Sequence, residues 1–327
     1  MLARYLPFPG SPRSPSPARR SCRSLLGLVL LAVSSILAAC GPARAQPLPV
    51  VDLSARTPLP AAAEAQITPL RLGVAAIISP AGTAESYDAL ARYLGERLGR
   101  PVELVQRRTY IEMNDLIQAQ AVDLAFVCTS AYIEGHDRFG MELLVAPQVN
   151  GETVYHSDLI VPAASDAQSM ADLRGRVFAF TDPISFSGRV YPTYLVQTLG
   201  ETPERFFSRT FFTYSHERAI QAVAAGVADG AAVDSLVLEY ALRREPGLAQ
   251  KLRVIHRSPP FGIPPVVVPP DLPTHQKALL LDLLLTMHDD PVGRGVLDQL
   301  GIERFVPIHD SAYAGVRELT ARVGRLP

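Results

Sequence analysis

Three short segments place hydroxyl-bearing and titratable side chains where a strand signal gives way to a helix signal. They are Cys128-Thr129-Ser130-Ala131-Tyr132, the run Asp182-Pro183-Ile184-Ser185-Phe186-Ser187-Gly188-Arg189, and Tyr214-Ser215-His216-Glu217. A helix start leaves backbone N–H groups without partners and carries the positive end of the helix dipole, so hydroxyls there can help to hold an anion. The same side chains also serve as ordinary N-caps that accept those N–H bonds themselves. In open α/β sheets ligands collect beyond the carboxyl ends of the strands, which is where all three segments fall. Three such sites together favour ligand binding over three unrelated caps.

Cys128 widens the chemistry. Of three cysteines, Cys22 lies in an N-terminal leader and Cys40 ends it, so Cys128 is the only thiol left in the folded part and has no disulfide partner there. A thiol at a helix start has its thiolate favoured by the dipole. Two readings stand beside each other: a small buried hydrophobe at a strand end, or a soft sulfur ligand for a thiophilic ion such as arsenic(III). No cysteine cluster suggests zinc, no His-Glu-x-x-His or Gly-x-Ser-x-Gly occurs, and no cofactor is expected. An exported enzyme pairing Cys128 or Ser187 with His216 is the alternative of another class, and a stray Ser–His pairing in a chain of this length is weak support for it.

These residues are carried by alternating elements. Leu70–Ile78, Val102–Gln106, Val122–Cys128, Glu142–Val149 and Val154–Pro162 read as extended, with helices over 84–98 and 110–120 between them. The pattern recurs as strand Val177–Thr181, helix 188–199, strand Thr210–Tyr214, helix 217–225 and strand Gly230–Asp234. Extended segments Leu252–His256 and Pro265–Val268 follow, then helices near 274–288, 292–300 and 312–323. Such alternation implies α/β lobes with mainly parallel central sheets. The expected division is a first lobe of 70–160 plus 260–327 and a second of 161–259, with crossings near 159–163 and 258–265 and the C-terminal helices on the first lobe.

Ahead of the folded part, Arg19–Arg23 and the apolar stretch Leu25–Leu37 read as an export signal over 1–40, too short for a comfortable membrane span. Leu37-Ala38-Ala39-Cys40 resembles a lipobox that would lipidate Cys40; Ala43-Arg44-Ala45 offers a rival cleavage site. Residues 41–69 are rich in Pro and Ala and read as a tether. The formal charge of −1 excludes a protein that coats nucleic acid. It also hides an asymmetry: residues 1–40 hold five arginines and no acid, so the remainder carries −6. An acidic chain gains nothing from its overall field in attracting an anion, so selectivity must be local.

The chain resembles the phosphonate/phosphite-binding family of periplasmic solute-binding proteins, a branch of the type 2 binding-protein fold. The resemblance runs from about Leu70 to Val323. It rests on Val122-Asp123-Leu124-Ala125-Phe126 with Tyr132, on Ser185-Phe186-Ser187-Gly188 with Pro192, on Ser215-His216-Glu217 leading to Val223-Ala224-Ala225-Gly226, and on Gly230-Ala231-Ala232-Val233-Asp234 with the Pro-rich 259–265 turn. It implies a two-lobed fold with a ligand cleft between the lobes. It also implies that Ser185, Ser187 and the N–H groups near Gly188 hold oxyanion oxygens, with a hydrogen bond from His216. Tyr87, Tyr132 and Tyr155 become candidate cleft walls, Thr129 and Ser130 join Cys128 at the site, and Asp234 faces the ligand's substituent. Packing roles for the tyrosines, an exposed first-turn His216 and an N-cap role for Asp234 remain alternatives, and Arg189 reads equally as an anion partner or a solvated residue. Phe186 stands where the family's Ser-Thr-Ser-Gly turn has threonine, which removes one hydroxyl. Phe126-Val127-Cys128-Thr129 is also similar to the arsenite-binding sensor proteins related to these binders. The function implied is an exported protein that captures phosphonate, phosphite, phosphate or arsenite and presents it to an ABC permease or a sensor histidine kinase in the inner membrane, meeting the membrane itself only through a lipid anchor.

Overall fold

The computed structural model describes residues 68–75 and 80–324, all within one unit of the chain, Ala65–Pro327. The export signal, Cys40 and the tether lie outside the described residues, as do 76–78 at the end of the expected first strand. No helix among the described residues is long and apolar enough to cross a membrane.

Two mixed sheets are built in succession. The first takes β1 (Leu70–Val74), β2 (Val102–Gln106), β3 (Leu124–Phe126) and β4 (Glu142–Gln148), with α1 (Pro80–Leu98), α2 (Tyr110–Gln118) and α3 (Thr129–Phe139) between them. After β5 (Val154–Tyr155) the second sheet takes β6 (Ser157–Pro162), β7 (Val177–Phe180), β8 (Arg209–Phe212), β9 (Gly230–Asp234) and β10 (Leu252–Arg257). Its helices are α4 (Tyr191–Thr198), α5 (His216–Ala224) and α6 (Ser235–Arg244); a π-helical turn, Phe186–Val190, leads into α4. The chain returns through β11 (Phe261–Gly262) to add β12 (Val266–Val268) and β13 (Arg304–Val306) to the first sheet, with α7 (Thr274–Thr286), α8 (Pro291–Leu300) and finally α9 (Ala314–Val323). The strand orders are β13-β4-β12-β3-β1-β2 and β10-β6-β9-β7-β8.

Successive residues of the second sheet face opposite sides, and both sides are covered. Ile160, Ala179, Ala231 and Val233 pack under α5 and α6, while Leu159, Val161, Phe178, Phe180 and Ala232 form the other core. Burial on both faces is why these strands read as unbroken apolar runs.

The sheets are not mainly parallel. β1 pairs in parallel with β2 and β3, and β7 with β8 and β9, but β4, β6, β10, β12 and β13 pair antiparallel. The antiparallel strands include those that enter or leave each sheet at the crossings, where no helix intervenes to restore the direction.

The first crossing also falls earlier than expected. A boundary at residue 160 would cut β6, which pairs with β9 and β10 as a member of the second sheet; the chain passes over at 149–156. There β5 pairs antiparallel with β11, Phe261 opposite Tyr155, so the two crossings brace each other.

The C-terminal helices do not all lie on the first lobe. α7 and α8 do, through Leu280, Leu284, Val296 and Leu297. The last helix, α9, puts Val316 and Val323 into a cluster with Phe186, Val190 and Tyr191, and Gln197 Nε2 donates to Val323 O at 3.1 Å. Its apolar stripe covers the α4 side of the second lobe.

Candidate functional site

The strand-to-helix junctions of both lobes meet in the interior. At the end of β3, Cys128 occupies the N-cap of α3 with extended backbone angles and makes no side-chain cap bond. It is 3% exposed. Burial pushes its thiol up to about 11, while the N–H groups of Phe186 from the second lobe and Ser130 from its own helix pull the other way. Cys128 is therefore a protonated thiol in this closed form and not the dipole-activated thiolate its helix-start position suggests: desolvation outweighs the dipole.

Around it lie hydroxyls without partners. The oxygens of Tyr110, Ser130, Tyr155, Thr181 and Ser187 are buried and accept or donate no hydrogen bond among the described residues. Tyr110 and Tyr155 both lie within the electrostatic reach of Cys128 and Asp234, and Tyr155 stands beside Thr129 and Ser187. Burial raises both phenols well above their ordinary value, so both are neutral donors. Thr181 lies against Gly188, where a Cβ would fall 1.8 Å from its Oγ1; only glycine lets the second-lobe turn close down on that hydroxyl. Native structures leave few buried hydroxyls unpaired, because each costs about 1–3 kcal/mol. Several in one place mark a ligand site.

Other candidate oxygens are already engaged. Ser185 Oγ accepts from Gly188 N at 3.1 Å, Ser215 Oγ accepts from Arg218 N, and Thr129 Oγ1 donates to Gly262 O at 2.9 Å. Asp234 caps α6 through Oδ1, which accepts from the N–H groups of Leu236 and Val237. That leaves Oδ2 without a hydrogen bond among the described residues. Burial raises Asp234 to about 7 and Asp182 to about 6.

His216 is buried, not exposed. Its Nδ1 accepts from Asp234 N at 3.0 Å, which fixes the proton on Nε2, and burial lowers its pKa to about 3. The imidazole is a neutral donor. Arg189 is buried and not solvated: it stacks 4.2 Å over Phe180 and pairs with Glu204 at 3.6 Å, while its Nε has no partner among the described residues. The site thus offers neutral donors and two carboxylates, with no arginine or lysine seen to join them. No group of three or more His, Cys, Asp or Glu among the described residues could hold a metal ion.

One of the expected residues stands elsewhere. Tyr132 donates its hydroxyl to Asp310 Oδ1 at 2.8 Å and packs on Tyr313, so it faces the C-terminal helices. As the fourth residue of α3 it has turned away from the strand end. Tyr87 packs edge-on against Phe126 and lines a cavity of about 140 Å³ between the lobes, which shares Asp234 with the cluster. The ring of Phe186 packs against Phe261, so this residue reaches the thiol through its backbone N–H alone.

Tyr110 and Thr181 stand in the cluster although the sequence pattern does not single them out, and Asp182, which opens one of the three segments, is given no role of its own there. Tyr110 begins α2, whose N-cap Thr109 forms a capping box with Glu112; Thr-x-x-Glu after β2 was the available signal of a fourth junction. The Tyr110 N–H donates across the cleft to Asp182 Oδ2 at 3.1 Å, tying one lobe to the other. Arg108 over the Tyr214 ring at 4.2 Å, and Ser86 Oγ to Tyr240 Oη at 2.8 Å, add two further ties.

The geometry has counterparts. Residues 72–313 match the family described as ABC transporter, phosphonate, periplasmic substrate-binding protein. The phosphate-import protein PhnD of Mycolicibacterium smegmatis is 31% identical over 163 residues, 46% of this chain and 51% of that protein. The chain thus spans about half the length of the curated relative it matches. A binding protein component of an ABC phosphonate transporter from Pseudomonas aeruginosa superposes with a TM-score of 0.73 at 25% identity, covering 76% of this chain and 84% of that one. PhnD1 from Prochlorococcus marinus, solved with methylphosphonate, gives 0.71 at 18% identity over 78% and 97%. With its two α/β lobes and the family match over most of the folded part, the chain belongs to the phosphonate periplasmic substrate-binding proteins of ABC transporters.

Proposed function

We propose that this is an exported, periplasmic solute-binding protein that encloses a small oxyacid between its lobes and presents the closed form to a membrane partner. The observation that carries this reading is the set of unpartnered hydroxyls of Tyr110, Ser130, Tyr155 and Ser187 around Cys128. Ligand bridging of both lobes shifts the population towards the closed form, because only that form completes the site. The family match supports an ABC permease as the partner and phosphonate or phosphate as the ligand class.

The finer reading is that the ligand is arsenous acid. It is mostly uncharged at neutral pH, so it meets no repulsion from Asp182 and Asp234 and needs no cation. Cys128 is a neutral thiol in the same pocket. Its sulfur bonds to arsenic, one hydroxyl leaves arsenic, and the thiol proton joins that hydroxyl as water; no oxidant is required. The remaining arsenic hydroxyls take the free tyrosine and serine oxygens. A sensor histidine kinase is the partner this reading implies, and lipidation at Cys40 would hold the protein at the membrane.

Calorimetry of the mature protein with phosphate, phosphite, methylphosphonate and arsenite tests the proposal. Binding of at least one without turnover is expected. Loss of arsenite binding in Cys128→Ser with retention of the others supports the finer reading, and arsenite binding that persists in that variant defeats it.

A further inference from the structure

Ser187 offers its hydroxyl to the cluster, but its carbonyl lies in a turn that cannot satisfy it. In a helix that carbonyl would accept from the N–H four or five residues further on. The Tyr191 N–H goes instead to Phe186 O, and Pro192 has no N–H to give. The donor comes from another strand: Ser157 Oγ donates to Ser187 O at 2.7 Å, and both residues are 1% exposed. The peptide after Ser187 is trans, so the Gly188 N–H points the opposite way, where Ser185 Oγ takes it at 3.1 Å. That peptide is pinned at both ends, and the Ser187 hydroxyl beside it is left free for a ligand.

Ser157 is the first residue of β6, directly after the first crossing, and its backbone is fixed there. Its N–H donates to Ser258 Oγ at 2.8 Å, and its carbonyl accepts from Ser258 N at 3.0 Å, which joins the two crossings. It lies opposite Asp234 in the β6–β9 register. One residue earlier, His156 N donates to Ser235 Oγ and Ser235 N to His156 O, both at 3.0 Å, so the start of α6 hangs on the same joint. Backbone groups tie Ser157 into this joint, and its side chain reaches out of it to the ligand turn. We infer that Ser157 is a positioning residue for ligand binding: its hydroxyl holds Ser187 in the orientation that meets the ligand and fastens that turn to the joint where the crossings meet. This rests on the reading of Ser187 as a ligand group.

A double-mutant cycle measured by calorimetry with phosphate, phosphite, methylphosphonate and arsenite tests this, using each acid that binds the unaltered protein. Ser187→Ala should weaken binding about five- to tenfold, the worth of one hydrogen bond. Ser157→Ala keeps both bonds to Ser258 and removes only the hydroxyl. It should weaken binding about threefold or more, without exceeding the Ser187→Ala loss. In the Ser187→Ala background the same change should cost less than about twofold, because the group it positions is already gone. Ser157→Thr retains a hydroxyl on a strand residue and should bind within about twofold of the unaltered protein. Melting curves show that each variant is folded. Equal losses from Ser157→Ala in the two backgrounds overturn the inference, since the hydroxyl would then serve the fold at large. Full affinity in Ser157→Ala, or a Ser157→Thr loss as large as that of alanine, overturns it too. These results leave the oxyacid reading standing. Unchanged binding in Ser187→Ala removes Ser187 from the ligand site and overturns the inference with it. If none of the acids binds, both readings fall together.

Discussion

Cys128 in the first lobe and Ser185 in the second hold the same structural position with different outcomes. Both are N-cap residues with nearly the same backbone angles, φ −66°, ψ 152° and φ −63°, ψ 128°. Ser185 turns its oxygen onto the Gly188 N–H and completes its own helix start. Cys128 makes no cap bond of ordinary geometry: its thiol, a weak acceptor, faces the N–H groups of Ser130 and Phe186 and keeps its proton. Each junction then leaves one serine further along, Ser130 and Ser187, with an unpartnered hydroxyl. A capping oxygen belongs to the fold, and a group that declines to cap is available to a ligand. That distinction separates the structural from the functional members of a set that looks uniform in sequence.

The largest expected effect comes from making the two junctions alike. Cys128→Ser supplies a capping oxygen where the thiol stands and removes the sulfur. Affinity for arsenite should fall on the order of a hundredfold or more, about 2.7 kcal/mol. The cap should hold thermal stability level or raise it slightly. Calorimetry and a melting curve on the same sample read both quantities, and a variant that loses stability instead would mean that the thiol serves packing.

The second-lobe junction breaks differently. Gly188→Ala drives a Cβ into Thr181 Oγ1 at 1.8 Å. It should destabilise the protein by about 1–3 kcal/mol, as overpacking does, measured by urea denaturation.

A smaller and more discriminating change is Tyr155→Phe. Removing a hydroxyl that has no partner should leave the unliganded protein as stable as before or more so, since the desolvation cost goes with it. Ligand affinity should fall about five- to tenfold, the worth of one hydrogen bond. Parallel losses in stability and affinity would show that the phenol is paired in solution and is not reserved for a ligand. Tyr132→Phe offers the contrast: its hydroxyl is bonded to Asp310, so stability should fall and affinity should not.

How far the sequence reveals this site follows from the same distinction. Alternating apolar runs and stop signals located the strands and most helices, because burial on both sheet faces writes an unbroken signal. Strand direction is not written there, since β6 and β12 are entered directly from the crossings, with no helix before them, and run antiparallel to their neighbours. Residue type and junction position single out Cys128, Ser130, Ser187 and His216, and the family resemblance adds Asp234. They could not show which oxygens are engaged, because Ser185 and Ser187 differ only in whether a backbone N–H points at them. Of the tyrosines, Tyr132 is misplaced for a related reason. Tyr132 sits one helical turn past the strand end and faces away, while Tyr110, the first residue of α2, faces across the cleft.

The smallest effect separates Asp234 from the rest of the site through pH. Asp234 is raised to about 7 by burial, so the folded protein holds this proton more tightly than the unfolded chain does. Stability from such a group is fully present below the unfolded value and is lost as pH rises through about 7. His216 acts oppositely: lowered to about 3, it contributes stability above the unfolded value near 6.5 that is lost as pH falls. Below pH 6.5 the two trends mask each other. Between pH 6.5 and 8 Asp182, at about 6, is largely ionised, and the unfolded chain's His216 sheds its remaining charge and offsets about half of the Asp234 trend, which still sets the sign of the slope. Stability should fall by about 0.5 kcal/mol across that window, or roughly 1–2 °C in melting temperature. Asp234→Asn keeps an oxygen for the N–H groups of Leu236 and Val237, so the helix cap survives while the titration does not. The variant's melting temperature should no longer fall from pH 6.5 to 8. Equal slopes in the two proteins would place the titrating group elsewhere, and Asp234 would then be a capping residue of the same kind as Ser185.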